Sequence, residues 1–131
     1  MLFRCYHLGM LKRFLLLFMF MAILPVCAGE LEDALKRGEP TFLYLHTNYC
    51  KYCKQFEPIY RKVSQAHKDK CRFISIDANT PYGKNIMRQF KAGFVPFVVM
   101  IDTNRQFLLN IPPECLLDNA CVDKEVKKFI N

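Results

Sequence analysis

No stretch of this 131-residue chain offers the roughly 20 consecutive apolar residues that a membrane-spanning helix needs. The longest apolar run, Phe14–Val26 (FLLLFMFMAILPV), has thirteen residues, and counting back to Leu8 lengthens it only by taking in Lys12 and Arg13. Acidic residues are absent before Glu30, while Arg4, Lys12 and Arg13 precede the run. A basic start, a short apolar centre and small residues at the exit form the pattern of a secretory signal peptide. Residues 1–28 are therefore expected to be a leader cut between Ala28 and Gly29, with Val26 and Ala28 at positions −3 and −1. An uncleaved anchor is the alternative. A lipid-modified Cys27 is disfavoured by the bulky Val26 before it.

Repeats, low-complexity tracts and linkers are also missing, so residues 29–131 are expected to form a single domain with one core. Basic residues are not clustered. They are dispersed as Lys51, Lys54, Arg61, Lys62, Lys68 and Lys70 among acids, and loss of the leader's three bases takes the formal charge from +7 to +4. Nucleic-acid binding needs a basic face and a motif, and neither is present. What remains is a soluble, solvated surface.

The elements of 29–131 are short and alternate in type. Leu31, Ala34 and Leu35 follow a helical period that Gly38 should stop, and Phe42–His46 has the length of a strand. Lys51 to about His67 reads as a helix kinked at Pro58. Arg72–Asp77 is a second strand and Tyr82–Lys91 a helix ended by Gly93. Phe97–Ile101 is an apolar run suited to a strand buried on both faces. A turn at Asp102-Thr103-Asn104 should make a hairpin with Gln106–Ile111, and Val122–Ile130 closes the chain as a helix. Strands separated by helices, followed by a hairpin, imply an α/β fold with one mixed four-stranded sheet flanked by helices.

A second Cys-x-x-C pair is lacking too. Of seven cysteines, Cys5 and Cys27 fall in the expected leader, which leaves the odd number five and so at least one thiol without an internal partner. Cys50-Lys51-Tyr52-Cys53 follows a strand and opens a helix. Two cysteines at this spacing can close a small ring, and the helix N-terminus together with Lys51 and Lys54 favours thiolate over thiol. Such a thiolate attacks a disulfide, and the second cysteine resolves the mixed disulfide. The alternatives are a structural bridge or a zinc half-site. Zinc would want another pair, and Cys115 and Cys121 are six apart rather than two to four.

With these residues in place, the chain resembles the thioredoxin superfamily over nearly all of residues 31–131. Tyr49 stands before the first cysteine where thioredoxins usually carry tryptophan, and Lys54 follows the second. Pro58 lies where the family kinks its helix, Asp77 ends the central strand, and Gly93-Phe94-Val95-Pro96-Phe97 looks like the family's G-x-x-P stretch. The resemblance implies a cis bond at Pro96 and a Val95 backbone that pairs with an extended substrate strand. Tyr49, Lys51, Tyr52, Val95 and Pro96 are thus the expected substrate-binding residues, and Cys50 and Cys53 the catalytic pair. There are departures. Tyr44 occupies the place of the family's buried aspartate, so proton transfer at Cys53 must use another group or water. His46 is either a tuner of the thiolate or a half-exposed strand-end residue. Lys51-Tyr52 replaces the Gly-Pro of cytoplasmic thioredoxins.

A bridge between Cys115 and Cys121 is expected to tie helix to sheet, with a second redox pair or free thiols as alternatives. Cys71 reads as a buried small hydrophobe, and Pro112-Pro113 as the end of the hairpin strand without chemical role. The expected function is dithiol–disulfide exchange with exported proteins, periplasmic or secreted, without cofactor or metal. Reduction is favoured because no inserted helical or dimerisation domain accompanies the core. Such a reductase needs an electron donor, for which a membrane thiol transporter fits best. A disulfide-donating oxidant, an isomerase and a non-catalytic binding or metal-binding module remain the rival readings.

Overall fold

A computed structural model describes residues 29–104 and 108–131; the expected leader, 1–28, and residues 105–107 at the hairpin lie outside the described residues. The elements run α1 (Glu30–Lys36), β1 (Thr41–His46), α2 (Lys51–His67), β2 (Arg72–Asp77), α3 (Pro81–Gln89), β3 (Phe97–Ile101), β4 (Leu108–Asn110), α4 (Pro113–Leu116) and α5 (Asn119–Ile130). They build a mixed sheet of order β2-β1-β3-β4, in which β1 pairs parallel with β2 and antiparallel with β3. β3 pairs antiparallel with β4. The α/β fold with a mixed sheet flanked by helices is as the alternation of elements implied.

β1 is central and buried on both faces, which explains its unbroken apolar run. Its side chains alternate across the sheet. Phe42 and Tyr44 join the cluster of Phe56 and Val63 from α2 and Val122 and Val126 from α5. Leu43 and Leu45 join the opposite cluster, with Leu31 from α1 and Ile86 from α3. One face of the sheet therefore carries α2 and α5, the other α1 and α3.

Local chemistry sets the ends of the helices. Gly38, at φ 67°, follows the Arg37 cap of α1, and its neighbour's N–H returns to Ala34 O at 3.1 Å. That is the left-handed stop glycine suits best. α3 departs from expectation. It ends at Gln89 with Phe90 as its cap, and the left-handed position is taken by Lys91 at φ 52° rather than by Gly93. The Lys91 and Ala92 N–H groups close the same motif onto Arg88 and Met87. At the other end of α3 the Thr80 hydroxyl accepts from Gly83 N at 2.9 Å, and a Cβ at Gly83 would collide with the Asp77 carbonyl.

The end of the chain also departs from expectation. Of the strand expected over Gln106–Ile111, Gln106 and Phe107 lie outside the described residues, Leu108–Asn110 are strand, and Ile111 is already past its end. Pro113 does not simply end it but begins the short α4, where its missing N–H costs nothing. α5 starts at Asn119, three residues before the expected Val122, because the Asp118 carboxylate accepts from Ala120 N and Cys121 N.

α5 is fixed to α2 by a polar brace. His67 Nε2 lies 2.6 Å from Asp123 Oδ1, and Lys127 Nζ 2.6 Å from Asp123 Oδ2. Hydrogen bonds from Lys127 first, then His67, hold the Asp123 carboxyl below its ordinary 3.8. The unfolded chain, with the ordinary value, binds the proton first. The brace therefore contributes fully above about pH 4 and its contribution is lost as pH falls through the lowered folded value. Urea midpoints measured from neutral pH down through that range should fall less steeply for Asp123→Asn than for the wild type.

Candidate active site

Cys50 and Cys53 meet where β1 hands over to α2. Cys50 is the N-cap of α2, its sulfur accepting from Cys53 N at 3.0 Å. The two sulfurs are joined in a disulfide with the Cα atoms 5.1 Å apart. Exposure separates them: Cys50 is partly accessible, whereas Cys53 is 3% exposed. Once reduced, a Cys50 thiolate would keep the Cys53 N–H and sit at the positive end of a 17-residue helix whose first turn contains no acid.

The Val95–Pro96 peptide bond is cis, and the loop lies against the pair. Cys50 Sγ is 3.7 Å from the Val95 carbonyl oxygen, which a reduced Cys50 thiol can meet as a donor. Pro96 is buried and Val95 half-buried. Tyr49 (92% exposed) and Tyr52 (60%) stand out beside the cysteines, and Lys51 is exposed between them. All the sequence-selected residues around the motif thus gather at one end of the sheet, where β1 leads into α2.

Behind the pair, Tyr44 is fully buried and its hydroxyl donates to the Cys53 carbonyl at 3.2 Å. Phe56 packs edge-on to its ring at 4.9 Å, and His46 lies tilted against it at 5.2 Å. Burial, with Glu57 nearby, pushes the Tyr44 phenol well above its ordinary value. It is therefore a neutral donor at physiological pH and not a base for the Cys53 proton. Beside it, His46, Lys54, Glu57 and Ser75 line a cleft of about 360 Å³ that reaches Cys53. Tyr44→Phe should cost about 0.5–1.5 kcal/mol of stability, the net value of one hydrogen bond, checked by urea unfolding of the oxidised protein.

The other cysteines lie elsewhere. Cys115 and Cys121 are bridged, Cα to Cα 5.4 Å, tying α4 to the first turn of α5. Cys71 is free and buried, and burial pushes its thiol up to about 12, which leaves it an unreactive core residue. Among the described residues no group of three or more His, Cys, Asp or Glu is placed to hold a metal ion. Sequence reasoning missed the far wall of the site: Phe94, Pro113, Leu116 and Leu117 line an apolar groove with Tyr52, Val95 and Pro96. No local sequence signal marks that wall, because the fold alone brings the segment after β4 against Tyr52 and Pro96.

The thioredoxin family model matches residues 23–108. The chain belongs to the thioredoxin family. Two curated relatives share the name thioredoxin-like protein HCF164, chloroplastic. That of Oryza sativa subsp. japonica is 25% identical over 97 residues, 71% of this chain and 37% of the relative. That of Arabidopsis thaliana is 25% identical over 71 residues, covering 54% and 27%. The chain thus spans well under half the length of these relatives. Among solved thioredoxin structures, oxidised thioredoxin O2 from Arabidopsis thaliana superposes with a TM-score of 0.63 at 15% identity, covering 78% of this chain and 88% of that one. Mitochondrial thioredoxin 3 from Saccharomyces cerevisiae gives 0.62 at 19% identity, covering 76% and 87%. These superpositions establish the thioredoxin fold, and a Cys-x-x-C pair at disulfide distance within it supports thiol–disulfide exchange.

Proposed function

We propose that this protein reduces disulfides in exported proteins, with Cys50 as nucleophile and Cys53 as resolving thiol. The observation that carries the reading is the difference in exposure between two bonded sulfurs, one capping a helix at the surface and one buried behind it. The Cys50 thiolate attacks one sulfur of a client disulfide. A mixed disulfide forms, and the other client sulfur leaves with the bonding electrons and takes a proton. Cys53 then loses its proton and attacks the Cys50 sulfur. The second client thiolate departs, the client has gained two electrons, and the Cys50–Cys53 disulfide has formed. Because Tyr44 holds its own proton, that of Cys53 leaves through the cleft beside His46, Lys54 and Glu57. A thiol donor, of the membrane-transporter kind, restores the dithiol. The client is held by Tyr49, Lys51 and Tyr52 on one side and by the Val95 backbone at Pro96 on the other.

Export is supported by the leader-like residues 1–28 and by the Cys115–Cys121 bridge, since such bridges persist in oxidising compartments. Among the described residues no helix is long and apolar enough to cross a membrane. Equilibration with glutathione buffers tests the direction. A midpoint near the thioredoxin value of about −270 mV is expected, and one near −120 mV would make the protein a disulfide donor instead.

A further inference from the structure

We propose that the bridged Cys115–Cys121 turn selects clients by seating a bulky apolar side chain next to the reacting client cysteine; this rests on the exchange reading above. The groove beside the cis proline holds about 220 Å³, room for one large side chain. Its lining comes from three segments: Phe94, Val95 and Pro96 of the cis-proline loop, Pro113, Leu116 and Leu117 of the bridged turn, and Tyr52 of the active-site helix. None of these side chains is charged at neutral pH, although Lys51 and Lys54 stand nearby. A charged client residue would lose water against this uncharged lining, whereas an aromatic or aliphatic one would bury area.

The groove is continuous with the reacting sulfur, because Val95 forms its wall and also touches Cys50 Sγ. Phe94 (59%) and Leu117 (47%) are exposed large hydrophobics of its lining, so a client side chain has apolar surface to cover on both residues. The turn itself has little freedom. Leu116 is 5% exposed and packs in the cluster of Val122 and Val126. The Cys115 N–H returns to Pro112 O at 2.9 Å and the Asp118 N–H to Cys115 O at 3.0 Å. Across the turn, the bridge pins Cys115 to Cys121 in the first turn of α5. The second disulfide thus acts as a positioning element for Leu117, at a distance from the exchange chemistry.

Two peptides mixed-disulfide-bonded to glutathione test this, one with Phe and Leu flanking its cysteine, the other with Ser and Asp. The selectivity is the ratio of their kcat/KM values, with oxidised glutathione as a substrate that lacks flanking apolar groups. The wild type should favour the apolar peptide by about tenfold, the scale of partly burying one large side chain, through KM rather than kcat. Leu117→Asp should bring the ratio near one and Leu117→Met should keep it. Cys115→Ser/Cys121→Ser should lower it with the Cys50–Cys53 midpoint unmoved. A wild-type ratio near one, or a ratio that survives Leu117→Asp, overturns the proposal. If the wild type reduces neither oxidised glutathione nor either peptide, the exchange reading fails and this one with it.

Discussion

Cys50→Ser should abolish disulfide reduction, whereas Cys53→Ser should stop it half-way, with the client left covalently attached to Cys50. The contrast follows from position. Cys50 caps α2 and is partly accessible, so it alone can reach a client sulfur, and a serine hydroxyl there neither ionises near neutral pH nor forms a stable bond to sulfur. Cys53 is 3% exposed and can meet only the Cys50 sulfur. Its loss leaves the first attack intact and removes the intramolecular step, which is fast because the two sulfurs are already in contact range. Mass spectrometry after mixing with a disulfide-bonded client checks both: an adduct accumulates on Cys53→Ser and is missing from Cys50→Ser. An adduct on Cys50→Ser through Cys53 would reverse the assignment of the two roles.

Phe56→Ala should cost about 3–5 kcal/mol, the range for deleting a buried phenyl ring. Phe56 is 0% exposed, lies on the inner face of the active-site helix, and packs edge-on to Tyr44 at 4.9 Å. Its removal opens a cavity between α2 and β1 that neither backbone can close without moving the helix that carries both cysteines. Set against the 5–15 kcal/mol total of a typical domain, the variant should show a large drop in urea midpoint. Phe94→Ala, at a ring 59% exposed, should stay within about 0.5 kcal/mol of the wild type, as surface changes do. Equal losses at the two positions would contradict the burial of Phe56.

Most of the architecture was legible because its signals are local. The Lys51–His67, Arg72–Asp77 and Phe97–Ile101 boundaries coincide with changes of hydrophobic period, and Gly38 marks the end of α1. What failed was also local but weaker. Lys91 takes the left-handed position two residues before Gly93, where the helix-end bonds from Lys91 N and Ala92 N to Arg88 and Met87 require it. Pro112-Pro113 looked like a terminator, yet Pro113 starts a helix, a role its sequence context does not distinguish from a stop. The cysteine pair, the cis proline and the bridged cysteines were readable as motifs. Leu116 and Leu117 were not readable as parts of the site, because only the fold brings the segment after β4 against Tyr52 and Pro96. The contact of Tyr44 with the Cys53 carbonyl is likewise tertiary. From sequence, Tyr44 registered as a missing aspartate rather than as a donor.

Thiol counting on the folded protein tests the exchange chemistry most directly. The protein is equilibrated over a range of reduced-to-oxidised glutathione ratios, quenched in acid, alkylated, and Cys50 and Cys53 are located by peptide mass. Both should pass together from unlabelled to labelled at a single midpoint and return on reoxidation, while Cys115 and Cys121 stay bridged. A Cys50–Cys53 bridge that opens at no ratio, or only after the protein unfolds, would contradict a redox-active pair and leave a thioredoxin fold used for binding alone.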